Sequence, residues 1–341
     1  MGSYFLSKLV ALFALKNGIT DDPLSAPHRK SQKEPIPLIG ATGFILCGFF
    51  STTLLWIINQ FYFGINLNLG ISWPNLLWIA LSILILVIGG YYDDKLHLPP
   101  KKMFPFIFIS LLIAVIGGGL KIEVLSYPFT AILPNIGLLH SFLAFVWIGF
   151  CLTATKFLDG LDGLVTTVGI IALFSIGSVS LFINVNQPLV FGFAMIWVAS
   201  LVGFLPYNFP DAKLYLGEGG SEIIGFIIGV LSILSGAKVA TSSTVIGWFI
   251  LDIILVMIIR LLQNKNPFKG DRLHWHFRLI DMGFSKLQVL SLTTIIIIIT
   301  SQLGLIFPTE FKVYVLITQV VLLFAVFGFS ILAYQNKNKK L

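Results

Sequence analysis

Eleven apolar runs follow one another along the chain, at about 4–16, 38–62, 72–92, 104–120, 138–157, 163–184, 188–207, 222–240, 243–262, 287–307 and 312–334. A helix crossing a ~30 Å hydrocarbon core takes about 20 residues. Runs of that length, in close succession over the 341 positions, leave no room for a large water-soluble domain. Only 11% of the residues are charged, where a soluble domain needs about 25% to cover its surface. The expected fold is therefore all-α: a polytopic membrane bundle of about 10–11 transmembrane helices, with residues 1–341 forming a single domain. The first run is too short to span alone. It is either interfacial or the remnant of a longer first helix, and it lacks the small-residue cleavage site of a signal peptide.

Charge then sets the orientation. If the N-terminus lies outside and every run crosses, the cytoplasmic loops are about 17–37, 93–103, 157–163, 208–221 and 263–286, with the tail from 335. Lys121, Lys238 and Lys312 fall on the opposite side and Lys8 falls inside the first run, so 18 of the 22 Lys and Arg lie on the cytoplasmic side. That is the positive-inside bias. It accounts for the net charge of +7 without nucleic acid as a partner. The two cysteines, Cys47 and Cys151, stand in apolar runs without metal or redox spacing and are expected to be buried thiols.

Topology does not require carboxylates, yet Asp93, Asp94, Asp159, Asp162, Asp211, Glu218, Glu222 and Asp271 all fall on that same side. Several sit at helix ends, where an unpartnered charge is costly. Acids and bases converging on one membrane face suggest that a metal and an anion are handled there.

Four segments carry this chemistry. Gly89-Gly90-Tyr91-Tyr92-Asp93-Asp94-Lys95 pairs two carboxylates that crowd each other, so the pair can bind a divalent cation or act as a base; the alternative is a solvated helix end. In Lys156-Phe157-Leu158-Asp159-Gly160-Leu161-Asp162-Gly163-Leu164, two aspartates three apart would share one face of a helix; the alternative is Asp162 as an N-cap. Tyr207-Asn208-Phe209-Pro210 precedes Tyr215-Leu216-Gly217-Glu218-Gly219-Gly220-Ser221. Its glycines would expose N–H groups to phosphate at a helix start, with Glu218 on a bridging magnesium; the alternative is a turn. In Asp271-Arg272-Leu273-His274-Trp275-His276, the histidines lack a third zinc ligand at usual spacing. An anion-binding cluster with Arg272 as a bidentate fork fits better; the alternative is an interfacial loop.

In this order the four segments resemble the polyprenyl-phosphate N-acetylhexosamine-1-phosphate transferase superfamily, glycosyltransferase family 4, from about Pro23 to Gly283. The Asp-Arg-x-His-x-His form looks most like its bacterial undecaprenyl-phosphate GlcNAc-1-phosphate transferases. The resemblance implies a phosphotransferase of the cell (inner) membrane with its active site facing the cytoplasm. It implies Mg2+ as cofactor with Mn2+ as a substitute, a UDP-sugar and undecaprenyl phosphate as substrates, and contact with membrane lipid; a homodimer is compatible with it. By its matching positions, Asp93 and Asp94 deprotonate or orient the lipid phosphate and Lys102 attracts it. Asp159 and Glu218 lie near the metal. Lys33, Asp162 and Asn208 surround the uridine, and Tyr215 stacks on uracil. Arg272, His274 and His276 contact diphosphate and sugar.

The chain departs from that pattern at Glu218, where Asp is usual, and at Thr153, Lys156, Gln32, Ala41, Phe106 and Phe277. The departures keep a homologue that binds without catalysing as an alternative. A transporter is the other, though only Asp252 stands well inside a span. GlcNAc is the default sugar, with GalNAc, QuiNAc and FucNAc donors open.

Overall fold

The computed structural model describes residues 1–22, 34–59, 61, 72–122, 137–182, 186–235, 239–266 and 272–338. Lys33 and Asp271 lie outside the described residues.

Among the described residues the helices are α1 (Gly2–Lys16), α2 (Ala41–Ile58), α3 (Trp73–Leu96), α4 (Pro100–Leu112, continued by a wide turn at Ile113–Gly117), α5 (Gly137–Leu158), α6 (Leu164–Ser180), α7 (Pro188–Asn208), α8 (Glu218–Leu234), α9 (Val239–Leu262), α10 (Trp275–Asp281), α11 (Lys286–Ile306) and α12 (Thr309–Asn338). Each of the eleven apolar runs becomes one helix, and α10 is a short addition inside the last long polar loop. Among the described residues eight helices are long and apolar enough to cross a membrane: α2, α3, α4 with its wide turn, α5, α7, α9, α11 and α12. The protein is a multi-pass membrane protein.

The two remaining apolar helices after α1, α6 and α8, have 17 residues each, or ~25 Å at 1.5 Å per residue. Their neighbours enclose them. Nearly every residue of α8 is buried, and α8 packs against α3, α5 and α6. Without a hydrophobic force between helices in lipid, close packing of small residues takes over. A Cβ on Gly225 would strike the Cys151 carbonyl of α5 at 2.5 Å, and one on Gly229 would lie 3.0 Å from Ile148. The tightest crossing joins α3 to α8. There a Cβ on Gly90 would lie 2.3 Å from the Gly219 Cα, so any side chain would drive the two backbones apart.

The first helix, 15 residues or ~22 Å long, is too short to cross by itself. It lies against α2 and α7. The Ser3 hydroxyl donates to the Ser200 carbonyl at 2.6 Å, and Gly43 and Gly203 admit Ser7 and Ser3 at contact distance. Cys151 is buried as expected, whereas Cys47 is only partly covered; both are free.

A two-residue antiparallel pair, β1 (Thr20–Asp21) with β2 (Ile36–Pro37), sits at the loop end of the bundle. The segment before α8 docks onto it. The Tyr215 N–H donates to the Pro37 carbonyl at 3.0 Å, and the Gly40 and Ala41 N–H groups donate to Tyr215 and Leu216 at 3.0 Å. The loops α3–α4, α5–α6, α7–α8 and α9–α11 thereby gather at one end of the molecule.

Candidate functional site

Asp93 and Asp94 end α3, both nearly buried. The two carboxylates do different jobs. Asp93 Oδ1 accepts from the Leu98 N–H at 2.8 Å and fastens the turn into α4. Asp94 reaches across the Gly90–Gly219 crossing, where its Oδ1 accepts from the Glu218 N–H at 2.9 Å. Its carboxyl also packs on Gly217, whose φ of +82° suits glycine. A carboxylate at this position favours the positive end of the α8 dipole. The expectation that this turn offers its N–H groups to phosphate therefore fails at Glu218, because α3 supplies the cap.

The α5–α6 turn brings the second carboxylate set. The helix stops at Leu158, so Asp159 and Asp162 occupy a turn and do not share a helix face as their spacing suggested. Nor does Asp162 cap α6; Gly163, at φ +76°, holds that place. Asp162 Oδ2 accepts from Lys286 Nζ at 2.9 Å and from the Ala212 N–H at 3.4 Å, joining three loops. Asp159 turns towards α8. Loss of water around its carboxyl, followed by the charges of Glu218, Asp94 and Asp162, raises its pKa well above the carboxylate range, against a hydrogen bond from Ser221 that lowers it. The residue as a whole keeps exposed surface, so the neighbouring charges carry that direction more than burial does.

Lys156, on the last turn of α5, answers the cluster. Its Nζ lies 2.5 Å from Glu222 Oε1 and 3.4 Å from Glu218 Oε2. Glu218 itself is half exposed, with its side chain on the open face of the cluster.

The residues expected around a nucleotide divide. Asn208 is buried and used twice within the fold: its Oδ1 accepts from Thr166 at 2.7 Å and its Nδ2 donates to the Leu214 carbonyl at 3.3 Å. It shapes the loop that carries Tyr215. The Tyr215 ring is partly exposed, and burial, then Asp162, Asp21 and Asp211, push its phenol above its ordinary range. Lys102 stands exposed at the start of α4, next to Met103, which packs on Gly89.

The histidine loop is held from inside the bundle. Asp252, a buried residue of α9, places Oδ2 2.8 Å from His274 Nδ1 and accepts the Trp275 N–H on Oδ1 at 3.1 Å, capping α10. Because an ionised carboxylate only accepts, His274 Nδ1 carries the proton. Asp252 was the one residue suggesting a transporter's midplane charge, and it has a local partner instead. His276 stacks parallel to His274 at 6.0 Å and lies over Gly160, where a Cβ would meet its Nε2 at 2.7 Å. Burial, then His274 and Arg272, lower the His276 pKa to about 3, so the ring is neutral. His274 Nε2 and both ring nitrogens of His276 are buried without hydrogen-bond partners among the described residues. Arg272 is exposed, paired with Asp281 at 2.7 Å and lying over the Phe277 ring at 4.9 Å.

The structure therefore brings Asp93, Asp94, Asp159, Asp162, Glu218, His274 and His276 to one end of the bundle, with Tyr215 and Arg272 on the same loops. Lys156, noted in the sequence as a departure within the second segment, and Glu222, one of the acids on this face, complete it, together with Asp252 and Lys286, which the sequence had not assigned to the site. The intramembrane position of Asp252 was the signal for that one, since such a charge requires a partner.

Among the described residues no three His, Cys, Asp or Glu side chains converge closely enough to hold a metal by themselves. The donors are all hard carboxylate oxygens. Mg2+ is commonly bound by one or two carboxylates, retained waters and substrate phosphates, and this set fits that pattern.

Comparison with known proteins agrees with the geometry. A family model described as glycosyl transferase family 4 matches residues 76–236. A Bacillus subtilis (strain 168) protein named probable undecaprenyl-phosphate N-acetylglucosaminyl 1-phosphate transferase is 33% identical over 213 residues, covering 61% of this chain and 59% of that protein. The undecaprenyl-phosphate alpha-N-acetylglucosaminyl 1-phosphate transferase of Thermotoga maritima is 26% identical, covering 99% of this chain and 98% of its own length. The phospho-N-acetylmuramoyl-pentapeptide-transferase of Staphylococcus carnosus is 29% identical over 82% of this chain and 87% of its own length. The matched model runs from α3 through α8, which carry Asp93, Asp94, Asp159 and Glu218, so the chain is similar to glycosyl transferase family 4 across the segments that build this site.

Proposed function

We infer that the protein transfers a sugar-1-phosphate, GlcNAc-1-phosphate by default, from a UDP-sugar to undecaprenyl phosphate at the loop end of the bundle. The observation that carries this reading is the meeting of Asp94, Glu218 and Lys156 across three apolar helices, at the level where a water-soluble donor and a lipid acceptor both arrive. The excess of Lys and Arg on the loops at that end supports a cytoplasmic orientation in an inner membrane.

Such transfer depends mainly on positioning and on neutralising charge. An oxygen of the lipid phosphate attacks the β-phosphorus of the donor. The bond from that phosphorus to the bridging oxygen breaks, UMP leaves with the electron pair, and a lipid diphospho-sugar remains. Lys102 draws the acceptor phosphate towards the end of α3. Asp94, fixed by Glu218 and Gly217, acts as scaffold, so Asp93 is the carboxylate of the pair left to orient the phosphate. Asp159 and Glu218 would hold Mg2+, which when bound offsets the diphosphate charge. Tyr215 and Asp162 take the uridine end. Arg272, released from Asp281, takes the diphosphate, and the buried His274 and His276 rings support the loop on the sugar side.

Purified protein is incubated with undecaprenyl phosphate, Mg2+ and a panel of UDP-sugars, and the lipid fraction is read by mass spectrometry. A lipid diphospho-sugar from at least one donor is expected, and none from Asp159→Ala or Glu218→Ala. No product from any donor would overturn the reading.

A further inference from the structure

Glu222 lies one turn into α8 with no exposed surface. Its Oε1 meets the Lys156 ammonium, and its Oε2 has no hydrogen-bond partner among the described residues. A buried ion pair is a poor device for holding helices together, since well-packed apolar side chains of similar volume do as well or better. The α5–α8 seam already has such packing at Gly225 and Gly229. The charged pair occurs only where the seam reaches the carboxylate cluster. There Lys156 touches Glu218 at 3.4 Å and also lies within electrostatic reach of Asp93.

We propose that Lys156 is a built-in cation of the transfer site and that Glu222 is the positioning residue that holds it there. The proposal rests on the transfer reading above. The ammonium permanently offsets part of the charge on Glu218 and Asp93. The cluster then holds a divalent ion loosely until the donor diphosphate supplies further oxygen ligands. Glu222, closed off from water, keeps the ammonium from swinging away when the metal arrives.

The test is Mn2+ binding by the purified protein in detergent, followed by electron paramagnetic resonance, with thermal unfolding measured in parallel. Lys156→Met removes the positive charge and should tighten Mn2+ binding. Glu222→Gln leaves the ammonium with Glu218 as its nearest acid and should weaken it. Each shift should be on the order of tenfold, the size of one nearby unit charge at a protein surface. Opposite signs are what a purely structural pair would not give, because loss of structure moves both variants the same way. Lys156→Met leaves a buried carboxylate alone and is prone to unfold. The double variant K156M/E222Q removes both charges and should keep the wild-type melting behaviour. It should still bind Mn2+ more tightly than wild type, since the charge lost from contact with Glu218 is the positive one. Shifts of the same sign in both singles, or wild-type Mn2+ affinity in a folded double variant, would overturn the proposal. These readouts do not depend on turnover. A wild type that forms no lipid product while the affinities move as stated would refute the transfer reading alone.

Discussion

Asp252 offers the sharpest perturbation of the histidine loop, because it acts from inside α9 and belongs to none of the four loop segments. Replacing it with Leu keeps the apolar surroundings satisfied but strands two buried donors, His274 Nδ1 and the Trp275 N–H. A buried donor left without an acceptor costs about 1–3 kcal/mol, so the two together should destabilise the protein by about 2–6 kcal/mol. Asp252→Asn separates stability from orientation. Its amide oxygen still caps Trp275, and the loss is limited to the charge on one hydrogen bond, about 1–2 kcal/mol. The amide NH2 now faces His274 Nδ1, which must accept, and the proton moves to Nε2. The unpartnered His274 Nε2 changes from acceptor to donor. The Asn variant should therefore fold and lose at least ~10-fold in kcat/KM, the size typical when the partner orienting a functional imidazole is removed. The assays are unfolding in mixed micelles and steady-state transfer kinetics. An Asp252→Leu protein with wild-type stability, or an Asn variant with wild-type kcat/KM, would refute the assignment.

Other substitutions test separate joints of the site. Gly90→Ala places a methyl 2.3 Å from the Gly219 Cα; the overpacking should cost about 1–3 kcal/mol and part Asp94 from Glu218, which thermal unfolding and kcat will both register. His276 is fully buried with its pKa lowered to about 3. The folded state thus binds fewer protons than the unfolded one, so its contribution is complete above pH ~6.5. It falls by about 1.4 kcal/mol per unit as pH drops from there towards 3. Unfolding free energy measured against pH should lose that slope in His276→Leu.

Hydropathy located every apolar helix, because a span's length and composition are local properties of the chain. Loop charge likewise brought Asp93, Asp94, Asp159 and Glu218 to one face. What spacing misjudged was geometry inside the loops. Asp159 and Asp162 look like helix neighbours three apart, but Gly160 and Gly163 end the helix first and send the two carboxylates to different partners, α8 and Lys286. The Asp94–Glu218 cap, 124 residues apart in sequence, and the Asp252–His274 pair, 22 apart, depend on which helices stand side by side. Apolar runs do not encode that adjacency; it follows from small residues such as Gly90 and Gly219, whose contacts appear only on packing. Asn208 shows the converse. The resemblance set it beside the uridine, whereas its side-chain hydrogen bonds in the fold are used to build the loop.

Following the β-phosphate tests the central claim most directly. Purified wild-type protein is given a UDP-sugar labelled with phosphorus-32 at that phosphate, together with undecaprenyl phosphate and Mg2+. Transfer of a sugar-1-phosphate predicts that the label enters the lipid fraction and that UMP leaves unlabelled. Label released as UDP, with only the sugar on the lipid, would contradict the account.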